Sequence, residues 1–251
     1  MKTTMYGLLI ILASCTKQSK KPQTPTPPSD VTVMQDTVMV SNPELAKLKI
    51  DFGALSEIDQ SGIVMSPLTT TNSGSGGRFE SSYYKSMPGY SCWNIVFYNS
   101  KTREYHLLSE QKMLIQTIMD RSGLESTESK NAIDSSYILY SIVADDYNKD
   151  GLFDEKDPTY LFATDRRGKN FRQLSPANQH LSSWKYIAST RKILMNVTVD
   201  RDKNLLFDEK DPANLVEIDL NNEKAINTIL SDSFQLRLKI LFDRDWKKKK
   251  E

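Results

Sequence analysis

The sequence predicts an all-β protein, and three observations carry that expectation. Apolar residues fall in short runs rich in Val, Ile, Tyr and Phe. Clusters of Asp, Asn, Gly and Pro bound those runs. No long segment sustains a period of 3.6 residues, and only PELAKLK (43–49) offers a helical turn.

In chain order, KLKIDFG (47–53) and GIVMSPL (62–68) read as the first strands. NIVFYN (94–99), the turn after Asn99 and EYHLLS (104–109) read as a hairpin. MLIQTIM (113–119) and YILYSIVAD (137–145) follow as strands, then TYLFATD (159–165) and KNFRQLS (169–175) flank a turn between Asp165 and Gly168. SWKYIAS (183–189) and RKILMNVTV (191–199) precede a last hairpin, in which NLVEIDL (214–220) and KAINTIL (224–230) flank Asn221 and Asn222. FQLRLKILFD (234–243) is read as a further strand near the C-terminus.

Two acidic loops interrupt this pattern, DYNKDGLFDEKD at 146–157 and DRDKNLLFDEKD at 200–211. They belong to an internal repeat. The first Asp of each loop gives 200 − 146 = 54, and the prolines after the loops give 212 − 158 = 54. The turn-opening aspartates give 219 − 165 = 54, and residues 137–145 align with 191–199 at the same spacing. A fixed period of this length marks a repeat architecture.

The segment DPTYLFATDRRGKNFRQLSP resembles the repeats of the periplasmic β-propeller of the Tol system, through Asp165, Gly168, Asn170, Arg172, Leu174 and Pro176. The resemblance covers about one hairpin per unit. It implies propeller-like four-stranded blades, of which about three can be counted. Residues 234–243 and the N-terminal strands would supply a further blade; a β-sandwich is the alternative.

Each acidic loop spaces its oxygen ligands as a hard cation requires. In the first, Asp146, Asn148 and Asp150 offer side-chain oxygens, Leu152 its carbonyl, Asp154 a direct or water-bridged contact, and Asp157 the closing carboxylate. In the second the same places hold Asp200, Asp202, Asn204, Leu206, Asp208 and Asp211. The expected ion is Ca²⁺; neither loop offers His or Cys to a softer metal. Gly151 takes the sharp sixth position, where the second loop has Leu205, so the second site is expected to be the weaker. Phe153 is expected to turn inward to the core. The twelfth residue is Asp rather than Glu and a proline follows, so strands are expected to flank the loops. The loops are similar to those of dockerin-like and thrombospondin-type repeats, which share the ligand spacing without a full helical hand. The competing reading is a pair of solvated acidic turns.

The chain opens with Lys2, the apolar run 8–12 and Leu-Ala-Ser-Cys ending at Cys15. The apolar segment is too short to span a bilayer and reads as a signal peptide, residues 1–14. The order of these parts resembles the lipobox leader of bacterial lipoproteins, which implies acylation of Cys15 and a membrane anchor in the cell envelope, the outer membrane being the expected one. Residues 15–30 carry Cys15 and a Pro-, Thr- and Lys-rich tether. The β domain is expected over 31–245 and a basic tail over 246–251.

Composition sets further bounds. The 251 residues are 38% hydrophobic and 26% charged with net charge +1, which argues against a nucleic-acid partner. Beyond Cys15 only Cys92 remains, expected to be a buried, inert thiol. His106 and His180 lie in no nucleophile motif, and TNSGSGG (71–77) lacks the Lys of a phosphate loop. No enzyme activity is expected. The function expected is that of a calcium-binding, lipid-anchored binding or scaffolding module for an unidentified protein or glycan. The alternative is a carbohydrate-active enzyme or glycan-binding module, to which Trp93, Trp184, Tyr83, Tyr84 and Tyr90 would supply stacking surfaces.

Overall fold

The structure is a computed structural model that describes residues 49–70, 91–120 and 134–247. The leader, Cys15, the tether, the turn expected just before Lys49, the glycine-rich segment 71–77, Tyr83, Tyr84, Tyr90 and residues 248–251 lie outside the described residues.

Three antiparallel sheets form in chain order. The first contains β1 (Ile50–Phe52), β2 (Ser56–Ile58), β3 (Ile63–Thr70), β4 (Asn94–Asn99) and β5 (Tyr105–Leu107). Both β1 and β2 pair with β3, at Phe52–Leu68 and Ser56–Met65, so they act as one edge strand broken after Phe52. The second sheet is the meander β6 (Leu114–Met119), β7 (Tyr137–Val143), β8 (Thr159–Asp165) and β9 (Arg172–Gln173). The third is the meander β10 (Gln179–Ile187), β11 (Lys192–Val199), β12 (Ala213–Asp219) and β13 (Asn222–Thr228). The all-β architecture and the four-stranded units are as the sequence predicts, and no ring closes among the described residues.

Strand parity shows how the sheets stack. Ile138, Tyr140 and Ile142 of β7, with Tyr160 and Phe162 of β8, pack against Ile58, Met65, Ile95 and Phe97 of the first sheet. The opposite parity, Leu139, Leu161 and Ala163, packs against Ile193, Met195, Val197, Val216 and Ile218 of the third. Strands β7 and β8 are therefore covered on both faces and read as nearly continuous apolar runs. In the third sheet only one face is covered, and β11 alternates, with Ile193, Met195 and Val197 inward. On its other face Lys192 Nζ pairs with Glu217 Oε1 at 2.7 Å.

The internal repeat survives in three dimensions with one correction. The ladders pair Tyr140 with Phe162 and Met195 with Val216. The third strands keep the period (216 − 162 = 54), but the second strands are offset by one (195 − 140 = 55). A one-residue slip moves every side chain to the other face. The extra residue lies between β7 and the first acidic loop. With it counted, the equivalent faces of the second and third sheets point in the same sense, as in stacked blades.

The segment expected to add a further blade is not a strand. Residues Asp232–Trp246 form the helix α1. The Ser231 hydroxyl caps it by accepting from the Phe234 N–H at 3.3 Å, and Asp232 sits in the first turn, where negative charge favours the helix. Leu, Arg, Lys and Gln between those points are good helix formers. Phe234, Leu236, Leu238, Ile240 and Phe242 are all exposed, so alternation here does not mark a buried sheet face. No helix among the described residues is long and apolar enough to cross a membrane.

Specific contacts tie the sheets together. The Cys92 N–H donates to the Ile115 carbonyl at 3.1 Å and the Ile115 N–H to the Cys92 carbonyl at 2.8 Å, joining the first sheet to β6. The Cys92 side chain lies in the core beneath, and burial pushes its thiol up to about 11, so it is inert as expected. Arg166 bridges the same sheets, with Nε 2.6 Å from Asp59 Oδ2 and an ion pair to Asp120. Between the second and third sheets, the Asp134 carboxylate, 2% exposed, accepts from Tyr186 Oη at 2.7 Å, Arg191 Nε at 3.0 Å and the Ser136 N–H at 2.8 Å. Gly168 completes the first interface: a Cβ built there would lie 2.5 Å from the Phe97 ring, and its φ is +72°.

Two outcomes follow from these contacts. Gly168→Ala is expected to lower stability by about 2–4 kcal/mol, combining backbone strain with overpacking against Phe97. A thermal melt should show a fall of roughly 5–10 °C. For Asp134, burial would raise the carboxyl, but the Arg191, Tyr186 and Ser136 donors outweigh it and hold the group below its ordinary value. A lowered carboxyl stabilises the fold above the unfolded value of about 3.9 and loses that contribution as pH falls through the folded value. Asp134→Asn should therefore unfold earlier than the parent in urea at pH 7, with the gap closing below about pH 4.

Candidate metal centre

Both acidic loops sit at the same place in their sheets, between β7 and β8 and between β11 and β12, so strands flank them as the sequence predicts. Their internal hydrogen bonds are nearly superimposable. The first residue accepts from the N–H of the sixth, Gly151 to Asp146 Oδ2 at 2.8 Å and Leu205 to Asp200 Oδ2 at 3.0 Å. The twelfth accepts from the second, Tyr147 N–H to Asp157 Oδ1 at 2.8 Å and Arg201 N–H to Asp211 Oδ1 at 3.0 Å. Its other oxygen accepts from the ninth, Asp154 N–H at 3.2 Å and Asp208 N–H at 3.1 Å. The carboxylates thus wind each loop around its own centre, and the short Asp side chain at position twelve is held by the backbone of two earlier residues.

Left-handed backbone is needed twice in each loop. Lys149 (φ 61°) and Lys203 (φ 59°) adopt it at position four; Gly151 (φ 81°) and Leu205 (φ 66°) adopt it at position six. The expected strain at Leu205 is therefore present. The requirement at position four was invisible in the sequence, since lysine carries no signal for it.

In the second loop carboxylate oxygens of Asp200, Asp202 and Asp211 all lie within 4.8 Å of one another. Asp200 is buried, Asp211 half-buried and Asp202 exposed, so the group opens to solvent on one side. No equivalent group of three is gathered in the first loop among the described residues. There Asn148 stands where the second loop has Asp202, and its Oδ1 accepts from the Asp150 N–H at 2.9 Å. Asp146 Oδ1 is buried and takes no hydrogen bond, and Asp157 is 1% exposed. Burial pushes the Asp157 carboxyl up, against backbone donors that pull it down. Burial would also raise Asp200, but the Leu205 N–H, the Tyr147 hydroxyl and the Asn204 N–H together hold it low.

Leu152 and Leu206 expose their side chains, consistent with a role for their carbonyls alone. Asn204 Oδ1 accepts from the Leu206 N–H at 2.8 Å, and Asp154 and Asp208 cap the last turn of each loop through the Lys156 and Lys210 N–H groups at 2.9 and 2.7 Å. Every donor is a hard oxygen, which suits Ca²⁺ rather than a thiophilic ion.

The two loops also touch. Tyr147, second residue of the first loop, donates its hydroxyl to Asp200 Oδ2 at 3.1 Å, and its ring lies 5.0 Å from that of Phe207. Phe207 in turn meets the His180 ring at 5.7 Å. Sequence reasoning missed Tyr147, which occupies a position with no ligand role. Phe153, expected in the core, is half-buried at the surface beneath Lys112 Nζ, 3.9 Å from its ring centre. The first loop leaves the sheet one residue later than the second does, which places the two Phe residues in different surroundings.

No protein-family model matches the chain, and no curated protein is significantly similar to it.

The strain at Leu205 can be removed without touching a ligand. Leu205→Gly is expected to tighten Ca²⁺ binding at the second loop by roughly fivefold to tenfold, about 1–1.4 kcal/mol of relieved backbone strain. Calorimetric titration of the parent and the variant reads this directly; equal affinities would show that Leu205 adopts its conformation without cost.

Proposed function

We propose that the protein is a calcium-binding, lipid-anchored module of the bacterial cell envelope, in which Ca²⁺ braces the connections between strands to hold a rigid binding surface. The observation that carries this reading is the pair of matching loops, one with three carboxylates gathered within 4.8 Å and the other with the buried Asp146 Oδ1 unpartnered. Gathered carboxylates repel one another, and a divalent ion turns that repulsion into attraction. Asp200, Asp202, Asn204, Leu206, Asp208 and Asp211 would hold one ion, and Asp146, Asn148, Asp150, Leu152, Asp154 and Asp157 the other. The anchor rests on the lipobox-like leader ending at Cys15. Two or more acyl chains on that residue would give stable attachment.

The enzymatic alternative requires a pocket with two carboxylates free of the loops. The cleft between β6 and β10 is lined by no carboxylate. That favours binding over hydrolysis.

Extracellular calcium modules bind at about 10⁻⁴–10⁻³ M. With the tighter value, 10 mM Ca²⁺ stabilises the fold by about 2.7 kcal/mol per site. The full-length chain in detergent should melt roughly 5–10 °C higher in 10 mM CaCl₂ than in EDTA. Mg²⁺ at the same concentration should do much less. An unchanged melting temperature together with no heat of binding would refute the calcium reading.

A further inference from the structure

An open cleft of about 630 Å³ lies between the outer strand of the second sheet, β6, and the outer strand of the third, β10. Both strands carry a β-bulge at the cleft. On β6 the register shifts between Ile115 and Thr117, leaving Gln116 as the extra residue. On β10 it shifts between Leu181 and Ser183, leaving Ser182 as the extra residue. Both extra residues line the cleft. Bulges re-aim side chains and recur beside binding sites.

We propose that this cleft binds a short oligosaccharide. It gives a ligand class to the binding surface proposed above, and it does not depend on the loops holding a cation. The volume lies in the range of small-molecule sites. The lining chemistry is largely hydroxyl and amide: Gln116, Thr117, Ser141 and Thr159 lie on the second-sheet side, opposite Trp184 of β10. Hydroxyls and amides donate and accept at once, as sugar hydroxyls do. Gln116 Oε1 accepts from Thr159 Oγ1 at 3.1 Å, while its Nε2 and the hydroxyl of Ser141 bond nothing among the described residues. Trp184 is half-buried against the core of the third sheet and borders the cleft. An indole beside a row of hydroxyl groups meets the two surfaces of a pyranose, its C–H face and its O–H edge.

Other ligand classes fit less well. A phosphate-bearing ligand needs converging cations or a nest of N–H groups, and the cleft offers one lysine, Lys185. An extended peptide would add to a strand edge, but the β6 edge is already bonded to Cys92 at Ile115 and both edges are bulged. A purely apolar ligand would leave the hydroxyl groups unpaired.

The test is calorimetric titration of the full-length chain, in detergent, with cellohexaose, xylohexaose, mannohexaose, chitohexaose and hexagalacturonate, each in 5 mM CaCl₂ and again in EDTA. At least one sugar is expected to bind below millimolar concentration. Thr117 is exposed, lines the cleft and pairs with Ser141, so Thr117→Trp fills the cleft without touching the core and should abolish that binding. Gln116→Ala should weaken it by threefold or more, with an unchanged melting temperature in both variants. Binding retained in EDTA supports the site even where the loops prove to hold no ion. Absence of binding to all five sugars in both buffers, or binding that Thr117→Trp and Gln116→Ala leave unchanged, would overturn the proposal.

Discussion

Strands β7 and β8 are packed on both faces. Ile138, Leu139, Tyr140, Ile142, Tyr160, Leu161 and Ala163 are all fully buried, alternate residues facing the first sheet and the third. A strand pair enclosed this way has little room for polar side chains: Tyr140 Oη meets Thr164 Oγ1 at 2.8 Å, while the buried Tyr160 Oη takes no hydrogen bond among the described residues. The flanking sheets depend on it: each buries one face against it and turns the other to solvent. Polar chemistry is thereby pushed to the rims, into the loops that enter and leave β8 and β12 and onto the outer strands β6 and β10.

The acidic loops follow from that arrangement. Asp157 is buried at the point where the chain re-enters the central sheet, and it offsets the loss of water by accepting from the backbone of residues 147 and 154. Asp211 does the same for residues 201 and 208. The carboxylate that closes each loop is thus structural before any ion binds. The remaining donors are less committed. Asp202 is exposed, and Asp146 Oδ1 lacks a partner. A cation would find the loop already wound and need only draw in the mobile oxygens, which keeps the ordering cost of binding low.

Much of this was legible in the sequence, for reasons that can be stated residue by residue. The ligand set was readable because oxygen spacing along a loop is a local property, and the hairpins because turn residues punctuate short apolar runs. The one-residue offset of β7 against β11 was not, because the strands of the second sheet are apolar on both faces and so carry no parity to align. The bulges at Gln116 and Ser182 left no mark either, since the extra residue is an ordinary polar one on an outer strand. Residues 234–243 misled for the opposite reason. Their alternation is real, but no sheet face is there to receive it, and the Ser231 cap with its helix-forming neighbours decides the outcome. Local pattern reports the preference of a segment, and burial decides whether the preference is used.

Short contacts run from the loops to the cleft. Thr159 directly follows Pro158 at the exit of the first loop. Its N–H donates to His180 Nδ1 at 3.3 Å and its hydroxyl to Gln116 Oε1 at 3.1 Å, so it holds one residue of β10 and the bulged residue of β6 at once. The His180 ring also rests on Phe207 of the second loop, and Phe207 on Tyr147 of the first. Burial lowers the His180 imidazole, in the direction that favours accepting from Thr159. Both loops therefore bear on the floor of the cleft through two side chains, His180 and Thr159. The route between the loops and the cleft is thus short: one threonine and two aromatic contacts.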